Sequence, residues 1–143
     1  MTRVLGVDLG TRRIGLACSD ALGITAGPLS VIERTGDRTA EHRAILAAAR
    51  DAGASSIVVG LPRALSGKVT AAERAARREA DELGELAGPD IPVALYDERF
   101  TTVIAERALV ASGVRRRDRK QVVDKVAAAV MLQGYLDAQE PRP

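Results

Sequence analysis

Aromatic side chains are almost missing from this chain: Tyr96, Phe100 and Tyr135 make up 2% of it. A protein that grips single strands by stacking bases on aromatic platforms needs more, so contact with nucleic acid must fall mainly on backbone and shape. Cys18 is the one cysteine, which excludes an internal disulfide and a CxxC metal site and fits a reducing compartment. His42 is the one histidine; it reads as an exposed surface residue with no nucleophile to serve. No apolar run approaches the roughly eighteen residues of a membrane span, and no signal-peptide pattern precedes the first apolar segment. These absences predict a soluble, cytoplasmic protein with no membrane partner.

What is present fits one domain. The chain has 143 residues, 46% hydrophobic, much of it alanine. That favours close packing of helices on a sheet over a core of bulky side chains, with residues 1–139 as a single unit and 140–143 as a loose tail. Net charge is only +2, but Arg115, Arg116, Arg117, Arg119 and Lys120 crowd together, interrupted by Asp118 alone.

Hydrophobic patterning gives the element order. Residues 3–9 and 14–18 read as two strands joined by a turn at Gly10 to Arg13, with a weaker third strand at 29–33. A helix follows over 37–51, closed by Gly53. Ser56 to Gly60 is a short unbroken apolar run, as expected of a strand buried on both faces. A long charged helix over about 69–87 ends at Gly88-Pro89, and 91–96 is the fifth strand. Thr101 or Thr102 can cap a helix to Ala111, and after a basic loop the last helix runs over about 120–139. Three meander strands followed by strands that join through helical crossovers predict a five-stranded mixed sheet flanked by helices on both faces. This is the ribonuclease H-like arrangement.

Acids sit where that arrangement brings elements together. Asp8 lies in the first strand between Gly6 and Gly10, whose missing side chains leave room for a phosphate or a bound metal to approach. Asp97 and Glu98 end the fifth strand, and Asp124 lies early in the last helix, near its positive end. Each has a plainer reading: an Asx-turn for Asp8, pairing with Arg99 for Asp97 and Glu98, and pairing with Lys120 for Asp124. Carboxylates that meet from separate elements repel and need cations. An oxygen-only set selects Mg²⁺ or Mn²⁺, and two such ions about 4 Å apart suit in-line attack on phosphate.

Four phrases in order resemble the YqgF family: Gly6-x-Asp8-x-Gly10-x-x-Arg13-x-Gly15-x-Ala17-x-Ser19-Asp20, Val59-Gly60-Leu61-Pro62, Asp97-Glu98-Arg99-Phe100-Thr101-Thr102 and Lys120-x-x-x-Asp124-x-x-Ala127-Ala128. Its members are described as Holliday-junction-resolvase-like proteins and as nucleases for the small-subunit ribosomal RNA precursor. The resemblance covers nearly the whole chain. It implies a ribonuclease H-like fold, a metal-dependent nuclease that trims ribosomal RNA 5′ ends, and Asp8, Glu98 and Asp124 as catalytic acids and metal ligands. True resolvases carry a further acid three residues after the last-helix aspartate. Here that position is Ala127, which leaves three ligands unless Asp97 or Asp20 supplies a fourth.

The remaining candidates are basic. Gly60 to Lys68 departs from an ATP-binding loop, because six residues separate Gly60 from Gly67 and Val69 follows the lysine. Lys68 can still meet a nucleic-acid phosphate, as can Arg12, Arg13 and the Arg115–Lys120 cluster; solvated loops are the alternative. Structured RNA or branched DNA, alone or within ribosomal precursor particles, is the expected partner of a monomer or homodimer. An actin-like phosphotransferase would need a second, duplicated domain. A binding module without catalysis is the other alternative.

Overall fold

In the computed structural model, residues 2–97 and the helix 116–139 are described, with side chains of that helix from 125 onward. Strands β1 (Arg3–Leu9) and β2 (Arg13–Ser19) form an antiparallel hairpin in which Asp8 faces Gly15 across the ladder. β3 (Ala26–Glu33) extends the meander on the other side of β2. It begins earlier than the sequence predicts. Pro28, which lacks an N–H, is accommodated because β3 is an edge strand and the β2–β3 register shifts beside it.

Helix α1 (Arg38–Asp51) starts at Asp37, whose Oδ1 accepts the Ala40 N–H at 3.1 Å. Its chain then turns through Gly53 (φ +72°) into β4 (Ala54–Leu61), which pairs parallel with β1. Helix α2 (Ala71–Ala87) is capped by the Thr70 hydroxyl, and β5 (Val93–Asp97) pairs parallel with β4. The sheet order is β3-β2-β1-β4-β5. Helix α3 (Arg116–Gln139) closes the described chain. The predicted helix at 101–111 and the tail 140–143 lie outside the described residues.

Strand alternation splits the core between two faces. Leu5, Val7, Ile14, Leu16, Ile57 and Val59 pack with Ile45, Leu46 and Ala49 of α1 and Ala80 and Leu83 of α2. Val4, Ala17 and Val58 pack on the opposite face with Ala128, Met131, Leu132 and Leu136 of α3. Helices therefore cover both faces, and β4 is buried on each, as its apolar run requires. Gln133 ties α3 to the meander: its Oε1 accepts the Ala26 N–H (2.9 Å) and its Nε2 donates to the Ile24 carbonyl (2.8 Å).

The glycines beside Asp8 serve packing and turn geometry rather than ligand approach. A Cβ at Gly6 would sit 2.9 Å from Leu132 Cβ, so Gly6 lets α3 press onto β1. A Cβ at Gly10 would lie 2.4 Å from the Arg13 carbonyl oxygen, so Gly10 permits the tight turn. Gly6→Ala is expected to destabilise the protein by about 1–3 kcal/mol, since neither Cβ can swing aside. Denaturant unfolding of the purified variant measures this, and a wild-type midpoint would show that α3 shifts without cost.

Candidate active site

Asp8 is two residues beyond Gly6 on β1, so it occupies the α3 face of the sheet, half-exposed near the strand's carboxyl end. Its partner across β2 is Gly15. On the other side Val7 pairs with Val59, which places Gly60 next to Asp8 in β4, and Gly60 in turn pairs with Tyr96 of β5. The positions directly paired with Asp8 in both neighbouring strands are thus glycines. Sequence reading quoted both glycines without assigning them this role.

Helix α3 runs over that surface in a matching step. Val4 shares a cluster with Leu136, and Gly6 meets Leu132 and the Ala128 carbonyl. Successive strand positions on one face are about 6.7 Å apart, and helix positions four apart rise about 6 Å. The series 136, 132, 128 therefore keeps pace with 4, 6, 8, and helix position 124 lies one step further on, past the Asp8 end of β1. The side chains of Asp124 and of Arg116, Arg117, Arg119 and Lys120 lie outside the described residues, as do Glu98 and Arg115 altogether.

The predicted basic loop is corrected: positions 116–120 belong to α3. Arginine and lysine are good helix formers and nothing in the run breaks a helix. Asp124 accordingly stands beyond the first turn, where the helix dipole has faded.

Both candidates for a fourth ligand are placed elsewhere. Asp97 follows Tyr96, whose ring packs at the α3 face against Gly134 and edge-on to Tyr135 with centroids 5.8 Å apart. Alternation turns Asp97 to the α2 side, where Oδ2 lies 4.0 Å from Arg63 Nη1; Arg63 Nε is 3.8 Å from Glu73 of α2. Asp20 follows β2 at the opposite sheet edge, on the order of 16 Å along the strand from Gly15. Its Oδ1 accepts the N–H groups of Ile24 (2.7 Å) and Thr25 (3.2 Å), and these bonds, the first above all, lower its pKa.

Among the basic candidates, Arg13 is on the same β2 face as Gly15 and hence on the Asp8 face, half-buried. Arg12 is exposed in the turn, its carbonyl accepting the Arg34 N–H at 2.9 Å. Lys68 is exposed in the loop between β4 and α2. The 10–12 turn and the 62–70 loop both follow the carboxyl ends of parallel strands, the edge where sheets of this class bind ligands.

His42 corrects a sequence expectation most sharply. It is 3% exposed, and its Nε2 lies 2.8 Å from Glu79 Oε1. Glu79 also receives Arg34 Nη1 (3.1 Å) and Nη2 (2.8 Å), while Arg34 Nη1 reaches Glu41 at 3.0 Å. Burial pushes both carboxyls upward, but hydrogen bonds outweigh it. Arg34 and His42 hold the Glu79 pKa below the usual range; the Gly36 and Thr35 N–H groups and Arg34 do the same for Glu41. Sequence reading missed this network. The available signal was Glu73 and Glu79 beside Ala76, Ala80 and Leu83 on the buried side of α2. Cys18 is partly buried in β2, and burial raises its thiol pKa.

Among the described residues no group of three His, Cys, Asp or Glu side chains forms a metal site, and no helix is long and apolar enough to cross a membrane.

Comparison with known proteins agrees with this architecture. A relative from Mycolicibacterium paratuberculosis, named "Putative pre-16S rRNA nuclease", is 43% identical over 136 residues, covering 94% of this chain and 80% of its own. One of the same name from Moorella thermoacetica is 44% identical and covers 94% of each. The structure of Thermus thermophilus RuvC in complex with a Holliday junction substrate superposes with a TM-score of 0.59 at 18% identity, over 97% of this chain and 96% of that one. That likeness establishes the ribonuclease H-like fold. The family described as RuvX, Holliday junction resolvase, matches residues 2–138, and the chain therefore belongs to the RuvX family, whose YqgF motifs it carries.

Proposed function

We propose that this chain is a metal-dependent endonuclease of the cytoplasm that trims the 5′ end of the 16S ribosomal RNA precursor. The observation that carries the reading is Asp8 on the α3 face, flanked by Gly15 and Gly60, with helix position 124 one step beyond it along α3. Relatives named for the same RNA support the substrate. Asp8, Glu98 and Asp124 are the proposed ligands.

The donor chemistry fits a hard cation. The Asp8 carboxylate offers oxygen donors, His42 is committed to Glu79, and Cys18 belongs to β2 at the Leu5 level, away from Asp8. Mg²⁺ or Mn²⁺ bound there supplies positive charge for the phosphate and a water acidic enough to attack it. Asp8 contributes fixed negative charge that holds the cation. Arg13, on the same face, and Arg12 and Lys68, at the same edge, neutralise flanking phosphates.

A four-way DNA junction is the second substrate to consider, because the family description names it. The test offers the purified protein precursor 16S RNA and a four-way junction in parallel, each with Mg²⁺, Mn²⁺ or Ca²⁺. Shortened RNA 5′ ends with Mg²⁺ or Mn²⁺, and none with Ca²⁺, are expected. Cleavage of the junction alone moves the substrate to DNA. Binding without cleavage of either leaves a nucleic-acid-binding module.

A further inference from the structure

We propose that Arg34 is a positioning residue for Asp8, acting through the turn that follows β1; this rests on the reading of Asp8 as a metal ligand. Arg34 follows directly on β3, and its Nε donates to the Gly10 carbonyl at 2.9 Å. The Gly10 N–H donates to the Asp8 carbonyl at 3.1 Å. One side chain thereby grips the main chain two residues from the proposed ligand.

The other nitrogens of the guanidinium anchor that grip. Nη1 meets Glu41 of α1 and Glu79 of α2, and Nη2 meets Glu79. Both acids are held in turn: Glu41 Oε2 accepts the N–H groups of Thr35 (2.7 Å) and Gly36 (2.9 Å), and Glu79 meets His42. Arg38, nearby on α1, is spent on Glu82 at 2.8 Å. Helices α1 and α2 bring no proposed ligand to the site, yet through Arg34 they restrain the Asp8–Gly10 turn. A network serving stability alone would need only the Nη atoms. The Nε bond to the turn is what couples it to Asp8.

Arginine is required because its planar fork presents Nε and both Nη groups in fixed directions. Lysine keeps the charge and can satisfy the carboxylates, but it cannot also hold the Gly10 carbonyl. Partners that orient a metal ligand from behind typically change metal affinity or activity 10–100-fold when removed.

The test compares full-length wild type, Arg34→Lys and Glu82→Gln by Mn²⁺ titration, precursor cleavage and amide exchange at Gly10. Arg34→Lys is expected to weaken Mn²⁺ binding and lower kcat by about tenfold each, with KM for RNA unchanged. Exchange of the Gly10 N–H should quicken, also by about tenfold. Glu82→Gln, which breaks only the neighbouring surface pair, should leave all of these at wild-type values. A folded Arg34→Lys with wild-type Mn²⁺ affinity overturns the proposal, whatever its melting temperature. So does weakened Mn²⁺ binding with Gly10 exchange unchanged, since the effect would not pass through the turn. If Arg34→Lys does not fold, the triple change Arg34→Met, Glu41→Gln, Glu79→Gln removes the stranded charges with the guanidinium and is read the same way. Equal Mn²⁺ affinity in wild type and Asp8→Asn instead overturns the metal reading itself. That failure is distinct, because Gly10 exchange would still respond to Arg34→Lys.

Discussion

Asp8→Asn is expected to lower cleavage at least about a hundredfold, because a direct ligand should matter no less than the groups that orient it. Asparagine keeps the shape of the side chain and loses only its charge. Asp8 is half-exposed at the carboxyl end of β1, beside Gly15 and Gly60, so no core packing is disturbed. Thermal stability should hold or rise, since removing one acid relieves repulsion wherever carboxylates converge without a cation. Initial rates at saturating RNA, with a melting curve on the same sample, make the comparison. Undiminished cleavage by purified Asp8→Asn would sink the mechanism. The variant also controls for a contaminating nuclease, whose activity would survive the change.

Arg34→Met should have the largest effect on stability, on the order of 3–5 kcal/mol. Glu41 is 2% exposed and Glu79 is 10% exposed at their side chains, and Arg34 bridges both. Methionine would strand two carboxylates away from water with too few donors. For a chain of this length the melting temperature should fall on the order of 10 °C or more. The same network sets a pH dependence. Glu41 and Glu79 have folded-state pKa values lowered from 4.5. Their contribution is therefore complete above the unfolded value and is lost as pH falls below about 4.5 toward the folded values. His42, Arg34 and the Thr35 and Gly36 N–H groups face these acids and favour their ionised form. Melting temperatures measured between pH 7 and pH 3 should drop steeply at the acid end in wild type. A Glu41→Gln, Glu79→Gln double variant should flatten that drop. An equally steep fall in the double variant would assign the acid sensitivity to other carboxylates.

How much was legible can be judged residue by residue. The Gly10–Arg13 turn, the doubly buried run at 57–59 and the helix between Asp37 and Gly53 were local signals, and the structure keeps them. The start of the third strand, predicted at 29, lies at Ala26, because the edge position and the register shift let Pro28 sit inside it. The arginine run misled because charge suggests a loop, although its residues favour helix. Asp97 and Glu98 could not be told apart from composition. Strand phase removes Asp97 to the Arg63 side, and Glu98 lies outside the described residues.

The sequence alone determined the order of the described elements, the mixed sheet with helices on both faces, and Asp8 as the acid of the first strand. Those features follow from periodicity, turn residues and motif spacing, all of which act over a few neighbouring positions. Only the tertiary structure decided that Gly6 makes room for Leu132, that Gly15 and Gly60 border Asp8, and that His42 is buried. The physical reason is distance along the chain. Arg34 and Glu79 are 45 positions apart, and Ala26 and Gln133 are 107 apart. A charged residue gives no local sign of being buried when the partner that makes burial affordable comes from another element.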